Sequence, residues 1–312
     1  MQQVLITDDV HPLLIRSLEE MGYQCHYHPQ ISLEQSTAML QDVEGIVMKA
    51  KIKATRRFLE QAPKLRWIAR LGSGLDNIDL EAAEDFAIAV LSAPEGNCNA
   101  VAEHAIGMLL GLLNKIVKCD AAVRQLSWQR EANRGAELAG KTIGIIGYGH
   151  TGAAFAKKLA GFDVQVLVYD RFKKDLEIDA PYIDVSALAT IQQESEIISL
   201  HVSLNPSSQH MVDAAFISAC NHPFILINTA RGQVVKTKDL VEGLQTKKIL
   251  GACLDVYENE KPNTFSEYEK ELYSTLYNFE NVVLTPHVAG WTKESKERIA
   301  QVLISKLGNL KA

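Results

Sequence analysis

The sequence predicts an α/β protein that contains two doubly wound parallel sheets. Short β-branched runs alternate with amphipathic, helix-like stretches along most of the chain, an order typical of parallel strands joined by helices. The length of 312 residues is about twice that of an average domain, which indicates two such units. We expect a first unit of about a hundred residues and a second of about two hundred.

The first unit is predicted to begin with an apolar strand at residues 4–7 and a helix at 12–21 that Gly22 ends. Further strands are predicted at residues 45–48, 65–69 and 88–91. Residues 97–118 are mostly apolar with helical periodicity, so we predict one long helix buried between the two units.

The second unit is predicted from six more apolar runs that helical patterns separate. These strands are 142–146, 164–169, 197–200, 224–228, 250–255 and 282–284. We expect the chain to cross between units near residues 94–96 and 285–286, where proline and glycine interrupt the periodic pattern.

The composition is that of an ordinary globular protein, with 47% hydrophobic and 22% charged residues. The net charge of −6 argues against a nucleic-acid or membrane-surface partner, which would require a basic face. Five scattered cysteines without a CxxC pair favour a reducing compartment over a disulfide framework. With no signal peptide, membrane span or metal-ligand pattern visible, we expect a cytoplasmic protein that acts on a small molecule.

A glycine-rich motif lies between a predicted strand and a predicted helix. Gly147 would permit the tight turn, Gly149 would let the backbone approach a pyrophosphate, and Gly152 would allow the helix to pack closely on the strand. Free N–H groups at the start of the helix attract phosphates. We therefore predict a Rossmann dinucleotide site, with the cofactor-binding residues Gly147, Tyr148, Gly149, His150, Thr151 and Gly152.

An acidic residue, Asp170, ends the next predicted strand, 18 residues after Gly152. Its carboxylate can accept hydrogen bonds from ribose hydroxyls and repels a 2′-phosphate, which favours NAD over NADP. The neighbouring Arg171, Lys173 and Lys174 leave NADP open as an alternative, although a solvated charged loop is the simpler interpretation.

Three groups suited to chemistry follow three predicted strands of the second unit. Arg231 follows strand 224–228, carboxylates at residues 255–260 follow strand 250–255, and His287 follows strand 282–284. Because ligands of doubly wound sheets bind beyond the carboxyl ends of the strands, we expect these groups to converge on one rim. A carboxylate beside a histidine favours the protonated imidazole and fixes its tautomer.

Several strings in this sequence are similar to motifs of one known family. They are RLGSGLDNID at 70–79, VAEH at 101–104, TIGIIGYG at 142–149, INTARG at 227–232, GACLDVY at 251–257 and LTPH at 284–287. With these motifs in this order over nearly its whole length, the chain resembles the D-isomer-specific 2-hydroxyacid dehydrogenases.

The resemblance implies a flavodoxin-like substrate domain, residues 1–98 and 286–312, and a Rossmann NAD domain, residues 99–285, with a cleft between them. It places the catalytic triad of the family on Arg231, Glu260 and His287. The further cofactor contacts that it implies are His201, Thr229, Ala230, Arg231, Asp255 and His287, with Asp255 near the nicotinamide.

The resemblance also implies the mechanism of hydride transfer between C2 of a hydroxy acid and C4 of the nicotinamide. Arg231 would hold the substrate carboxylate, together with backbone N–H groups around Ser73 and Gly74. His287 would exchange a proton with the C2 oxygen, and Glu260 would hold His287 in place.

The sequence departs from the pattern of the family at three positions. Lys261 stands where proline is usual, which puts the loop geometry around Glu260 in doubt, and His150 stands where arginine is frequent. Trp291 occupies a place that is often small. Its indole either narrows the substrate pocket or packs against the last helix.

The substrate is expected to be 3-phosphoglycerate or its oxidised form, 3-phosphohydroxypyruvate. Residues 49–57 carry five positive charges, which are either a solvated surface or part of an anion pocket. Lys49 and Arg70 match positions where 3-phosphoglycerate dehydrogenases carry cations toward the substrate phosphate, which implies a place in serine biosynthesis. Reduction of glyoxylate or hydroxypyruvate is the alternative substrate assignment.

A different class of function stays open, because some proteins of this fold act as NAD-sensing binding proteins in transcriptional corepression. The complete set of Arg231, Glu260 and His287 favours an enzyme. The apolar helix that starts near Asn97 resembles the dimer-forming segment of the family, so we expect a homodimer.

Overall fold

The structure is a computed structural model that describes residues 2–173 and 176–311, so the predicted cation Lys174 lies outside the described residues. The chain divides into two compact units, Met1–Asn99 with Trp291–Ala312, and Ala100–Gly290. The predicted boundaries follow residues 98 and 285, whereas the structure divides the chain after residues 99 and 290, so His287 falls within the second unit and not, as predicted, within the substrate domain.

The first unit contains a parallel sheet of five strands in the order β2-β1-β3-β4-β5, the flavodoxin-like order. Its strands are β1 (Gln2–Ile6), β2 (Tyr23–Tyr27), β3 (Val43–Met48), β4 (Trp67–Arg70) and β5 (Ala89–Leu91). Its helices are α1 (Pro12–Glu20), α2 (Leu33–Ala38), α3 (Arg56–Leu59) and α4 (Leu80–Asp85), and α12 (Lys293–Lys311) at the end of the chain. Side chains alternate between two apolar clusters, since Leu5 belongs to one and Val4 and Ile6 to the other.

The second unit contains a parallel sheet of seven strands in the order β12-β11-β10-β9-β6-β7-β8. Its strands are β6 (Thr142–Ile146), β7 (Gln165–Tyr169), β8 (Ile183–Val185), β9 (Ile197–Leu200), β10 (Phe224–Asn228), β11 (Ile249–Leu254) and β12 (Val282–Leu284). Its helices are α6 (Ile116–Arg124), α7 (His150–Lys158), α8 (Leu188–Glu194), α9 (Ala214–Ala219), α10 (Thr237–Gln245) and α11 (Glu267–Tyr277), after α5 (Pro94–Leu113).

The predicted fold class is confirmed, because both sheets are entirely parallel and helices connect the strands. The strand order of the second sheet reverses at β6, which has β9 on one side and β7 on the other. Ligands of doubly wound sheets bind at such a reversal, beyond the carboxyl ends of the strands. The glycine-rich motif follows β6 directly and so lies at this point.

The prediction of one helix over residues 97–118 is wrong. The chain forms α5 and α6, whose axes differ by 61°. The break is at Lys115, which adopts the left-handed conformation with φ of +52°, and the Leu113 carbonyl accepts a hydrogen bond from the distant Ala136 N–H. No single helix in residues 2–173 and 176–311 is long and apolar enough to cross a membrane, and only this bent pair reaches that length when its two parts are joined.

Candidate active site

The glycine-rich turn has the geometry that an anion site requires. Gly147 adopts φ of +95°, and a Cβ there would lie 2.6 Å from the His201 carbonyl oxygen. A Cβ at Gly152 would collide with the Gly147 carbonyl, so helix α7 can approach the strand only with glycine at this position. Gly149 is the N-cap of α7, and no side chain caps this helix end. The N–H groups of the first turn, which contains His150 and Thr151, are thereby presented to a ligand.

Asp170 follows β7 and accepts three backbone hydrogen bonds, from the N–H groups of Tyr148 at 2.8 Å, Phe172 at 2.9 Å and Lys173 at 3.0 Å. Burial alone would raise the pKa of Asp170, but these donors outweigh it and hold the pKa below its usual range. The carboxylate is therefore charged, fixed beside the glycine-rich turn and ready to accept ribose hydroxyls. The Lys173 ammonium donates to the Tyr148 carbonyl at 3.1 Å, so it already has a protein partner.

Two buried polar atoms at neighbouring strand ends fit a cofactor. His201 follows β9, and its Nε2 lies 2.8 Å from the Ser199 hydroxyl. Burial lowers the pKa of His201 to about 3, so the imidazole is neutral. Its Nδ1 and the Thr229 Oγ1 are buried without a hydrogen-bond partner in the described part of the chain. Since buried polar groups are normally paired, these atoms fit a bound group with polar edges, such as a dinucleotide.

Arg231 is held by a local turn at the end of β10. The Asn228 side chain accepts from the Ala230 N–H at 3.1 Å and donates to the Arg231 carbonyl at 3.0 Å. A Cβ at Gly232 would collide with the Tyr257 carbonyl, so glycine here lets the Arg231 loop lie directly against the loop that carries Glu260. The Arg231 guanidinium also donates to the Ala230 carbonyl at 2.7 Å.

Glu260 and His287 form the central contact of the site. The Nδ1 of His287 lies 2.9 Å and 3.1 Å from the two carboxylate oxygens of Glu260. Burial alone would raise the pKa of Glu260, but hydrogen bonding to His287 and the positive charges of His287 and Arg231 hold it below its usual range. The carboxylate accepts from Nδ1–H, and this leaves Nε2 of the half-exposed imidazole to act on a ligand.

Asp255 holds the His287 loop by hydrogen bonds to the residues that flank His287. Its buried carboxylate accepts from the Thr285 hydroxyl at 2.6 Å and from the N–H groups of Val288 and Ala289, each at 2.9 Å. His287 itself adopts a left-handed φ of +56°, and this pair of bonds beyond it helps to hold that conformation. The structure thus gives the predicted cofactor residue Asp255 a supporting function in the His287 loop.

His104 is a site residue that the prediction omitted. Its Nε2 lies 3.0 Å from the Thr285 hydroxyl and 3.7 Å from an Asp255 carboxylate oxygen. The Thr285 hydroxyl can donate to Asp255 while accepting from His104, so the three side chains form one network beneath His287. The only sequence signal was the motif VAEH at residues 101–104.

The Glu260 loop keeps its geometry despite Lys261. The Lys261 N–H donates to the Asn259 side chain at 3.0 Å, and the Asn259 N–H donates to the Tyr273 hydroxyl at 3.0 Å. These bonds hold the loop where the family pattern has proline, and Glu260 still reaches His287.

The predicted substrate contacts lie in the first unit, where Lys49 follows β3, Arg70 is the last residue of β4, and Ser73 and Gly74 come after β4. The Lys49 ammonium lies 3.5 Å from the centre of the Trp291 ring, and burial lowers the pKa of this lysine. The Trp291 ring therefore covers the Lys49 ammonium. Because Trp291 is 67% exposed, it is not packed against the last helix. Ser73 and Gly74 are partly exposed in the loop after β4.

Comparison with known proteins gives consistent results. Residues 106–289 match the model of the D-isomer specific 2-hydroxyacid dehydrogenase NAD binding domain. Hydroxypyruvate reductase of Thermotoga maritima is 34% identical over 86% of this chain and 85% of its own length. D-3-phosphoglycerate dehydrogenase of Methanocaldococcus jannaschii is 30% identical over 98% of this chain, which spans only 57% of that protein.

The crystal structure of D-lactate dehydrogenase from Aquifex aeolicus, complexed with NAD and lactic acid, has the same fold. It superposes with a TM-score of 0.85 at 27% identity and covers 99% of this chain and 95% of its own.

Proposed function

This chain belongs to the D-isomer specific 2-hydroxyacid dehydrogenase family, and from that premise we propose that it interconverts 3-phosphoglycerate and 3-phosphohydroxypyruvate. Membership makes the chain an NAD-dependent enzyme that interconverts a 2-hydroxy acid and a 2-oxo acid by hydride transfer. The contact between His287 and Glu260, beside Arg231, is the observation that supports this chemistry on this chain.

The reaction assigns one task to each of these side chains. NAD, when bound at the glycine-rich turn, supplies or accepts the hydride. During reduction, Nε2 of His287 gives its proton to the C2 oxygen as that carbon gains the hydride, and oxidation reverses both transfers. Glu260 stabilises the protonated imidazole, and the Arg231 fork holds the substrate carboxylate.

The charge around Lys49 supports a phosphorylated substrate. Of the basic side chains at residues 49–57, Lys51 donates to the carbonyls of Thr7 and Pro29, and Arg56 pairs with Asp85. Those two side chains therefore serve the fold. Lys49 has no carboxylate ion pair among the described residues, and its half-buried ammonium would gain most from a ligand anion.

Hydroxypyruvate or glyoxylate is the second candidate, and the position of Trp291 favours it. An anion that binds Lys49 must compete with the indole face for the ammonium. A smaller substrate without a terminal anion would leave the pair of Lys49 and Trp291 intact.

A screen of NADH consumption tests the proposal. The substrates are phosphohydroxypyruvate, hydroxypyruvate, glyoxylate, pyruvate and branched 2-oxo acids, each with the wild-type chain and with Lys49→Met. We expect kcat/KM to be highest for phosphohydroxypyruvate and to fall about tenfold or more with Lys49→Met for that substrate alone.

Three other outcomes of this screen would contradict the proposal. A preference for hydroxypyruvate or glyoxylate that Lys49→Met does not change identifies the second candidate. Equal losses of kcat/KM for all substrates with Lys49→Met would show that Lys49 does not recognise the substrate phosphate. NADH binding without turnover of any 2-oxo acid would indicate an NAD-sensing binding protein.

We also propose a homodimer, which an exposed apolar surface supports. On and after α6, Leu126 is 90% exposed and Trp128 is 74% exposed. Ile116, Val117 and Val123 on the same helix are also exposed. An apolar surface of this kind marks an association site. Light scattering should give twice the chain mass for the wild type and a monomer for the double variant Leu126→Glu and Trp128→Glu, whereas a monomeric wild type would refute the dimer.

A further inference from the structure

The loop that carries Glu260 contains a second glutamate, Glu258, whose carboxylate contacts another histidine, His210. Glu258 contacts His210 with 2.7 Å between carboxylate Oε1 and imidazole Nε2, much as Glu260 contacts His287. We propose that Glu258 and His210 are positioning residues, which hold the Glu260 loop against the Arg231 loop so that the triad keeps its geometry. This inference rests on the proposed chemistry of the triad and does not depend on which 2-oxo acid is reduced.

Glu258 connects three separate segments of the second unit. Besides the bond to His210, its carboxylate Oε2 accepts from the Thr237 N–H at the start of α10, and its carbonyl accepts from the Gln233 side chain at 3.1 Å. The Gln233 carbonyl in turn accepts from the His210 N–H at 2.7 Å. Gln233 lies two residues after Arg231, and Glu258 lies two residues before Glu260. The Glu258 carboxylate therefore ties the Glu260 loop to His210 and to the start of α10, and His210 in turn is bonded to Gln233 of the Arg231 loop.

The backbone of both histidines is strained in the same way. His210 adopts φ of +51° and His287 adopts φ of +56°, a left-handed conformation that residues other than glycine rarely adopt. Such strain persists only where surrounding contacts enforce it, and it concentrates at functional sites. Asp255 enforces it at His287. At His210 the enforcing contacts are those to Glu258 and Gln233.

The charged side chains around Glu258 leave His210 as the partner of its carboxylate. The Lys236 ammonium, at the N-cap of α10, lies 3.3 Å from the carboxylate of the buried Asp239 and pairs with it. Among the described residues, the side chain that contacts the Glu258 carboxylate at salt-bridge distance is His210. The Tyr273 hydroxyl, held by the Asn259 N–H, faces the same carboxylate from α11. Replacing the Glu258 side chain therefore removes the bonds to His210 and to the Thr237 N–H without leaving Lys236 unpaired.

Four variants separate a positioning role from a merely structural one. They are Glu258→Ala, Glu258→Gln, His210→Ala and the control His222→Ala, an exposed histidine of the same unit. Glutamine at 258 keeps an acceptor for the Thr237 N–H and can donate to a neutral imidazole. Activity is measured with whichever 2-oxo acid the wild type reduces fastest, alongside NADH binding by fluorescence.

We expect Glu258→Ala and His210→Ala to lower kcat about 10- to 100-fold while the Kd for NADH stays within about twofold. Glu258→Gln should recover most of kcat, and His222→Ala should match the wild type. A kcat for Glu258→Ala within about twofold of the wild type, or a parallel loss of NADH binding, would overturn the proposal.

A readout without substrate keeps the test independent of the proposed function. In histidine-labelled protein, the NMR signals of the His287 ring, assigned with His287→Gln, report whether Glu260 still accepts from Nδ1. Glu258→Ala should change the chemical shifts of the His287 ring nitrogens, because a displaced Glu260 carboxylate no longer fixes the tautomer of the imidazole. Unchanged His287 shifts in a folded variant refute the positioning role even if no 2-oxo acid is ever reduced.

Discussion

The carboxyl ends of the two parallel sheets carry charged groups in different ways. On the seven-stranded sheet, Asp170 and Asp255 each accept three hydrogen bonds from the protein. Both carboxylate oxygens of Glu260 contact Nδ1 of His287. On the five-stranded sheet, the Lys49 ammonium is held by the face of an exposed indole, Trp291.

This difference suggests a division of tasks between the two edges. Fixed hydrogen bonds preorganise the groups that must act on every turnover, and preorganised charge is the largest contribution to most enzymatic rate enhancement. A cation that an aromatic face holds, without a carboxylate at ion-pair distance, can exchange that contact, worth about 0.5–2 kcal/mol, for a ligand anion. We therefore expect changes on the seven-stranded sheet to alter rate and cofactor choice, and changes at Lys49 to alter substrate choice.

Removal of His287 should give the largest effect. In His287→Ala no group donates the proton to the C2 oxygen, so kcat for reduction should fall about 10²- to 10⁴-fold. NADH should bind with nearly the wild-type Kd, because the glycine-rich turn and Asp170 are untouched. The measurement is steady-state NADH oxidation together with a fluorescence titration of NADH.

The matched control for this variant is His222→Ala, which removes an exposed histidine of the same unit and should leave both values unchanged. If His287→Ala retained more than about a tenth of wild-type turnover, the preorganised edge would not be the reaction centre.

Loss of the charge on Asp170 should have a smaller effect, confined to cofactor choice. Asp170→Asn keeps one acceptor oxygen but no longer repels a 2′-phosphate, so the ratio of NADPH to NADH affinity should rise about tenfold. Binding titrations of both cofactors measure it. Asp184→Asn on the neighbouring β8 is the control, since its carboxylate accepts only from the exposed Gln165 amide in the described contacts. An unchanged ratio would show that Asp170 does not face the ribose.

Strands that are continuous apolar runs were predictable, including the edge strands β5 and β12, whereas two other edge strands were not. The strands at residues 142–146, 197–200, 224–228 and 282–284 match the prediction, because apolar runs bounded by turns identify strands of parallel sheets. The missed strands β2 and β8 lie at sheet edges, where Tyr23–Tyr27 is half polar and Ile183–Val185 is only three residues long. The break at Lys115 depends on Ala136, a contact that no local pattern encodes.

The same limit applies to the site. Arg231, Glu260 and His287 could be placed on one edge because each follows a parallel strand, and Glu260 and His287 do meet. The contacts of His104, Glu258 and His210 could not be predicted, because they join loops that lie far apart in the sequence. The position of Trp291 in the sequence left two packing arrangements open. Only its contact with Lys49, which depends on the fold, distinguishes them.

The smallest expected effect concerns His201, which is kept neutral on the seven-stranded edge by burial alone. Its pKa is lowered from 6.5 to about 3, so between these values the unfolded chain binds a proton that the folded chain does not. Stability is therefore lost as pH falls below about 6.5, by at most about 1.4 kcal/mol per pH unit from this residue. Urea unfolding at pH 7 and pH 5 should show a weaker pH dependence for His201→Gln than for the wild type, and His222→Gln, whose histidine is exposed, should keep most of the wild-type dependence. Equal dependence in all three chains would mean that His201 takes up its proton in the folded state, and that this edge is less preorganised than its hydrogen bonds indicate.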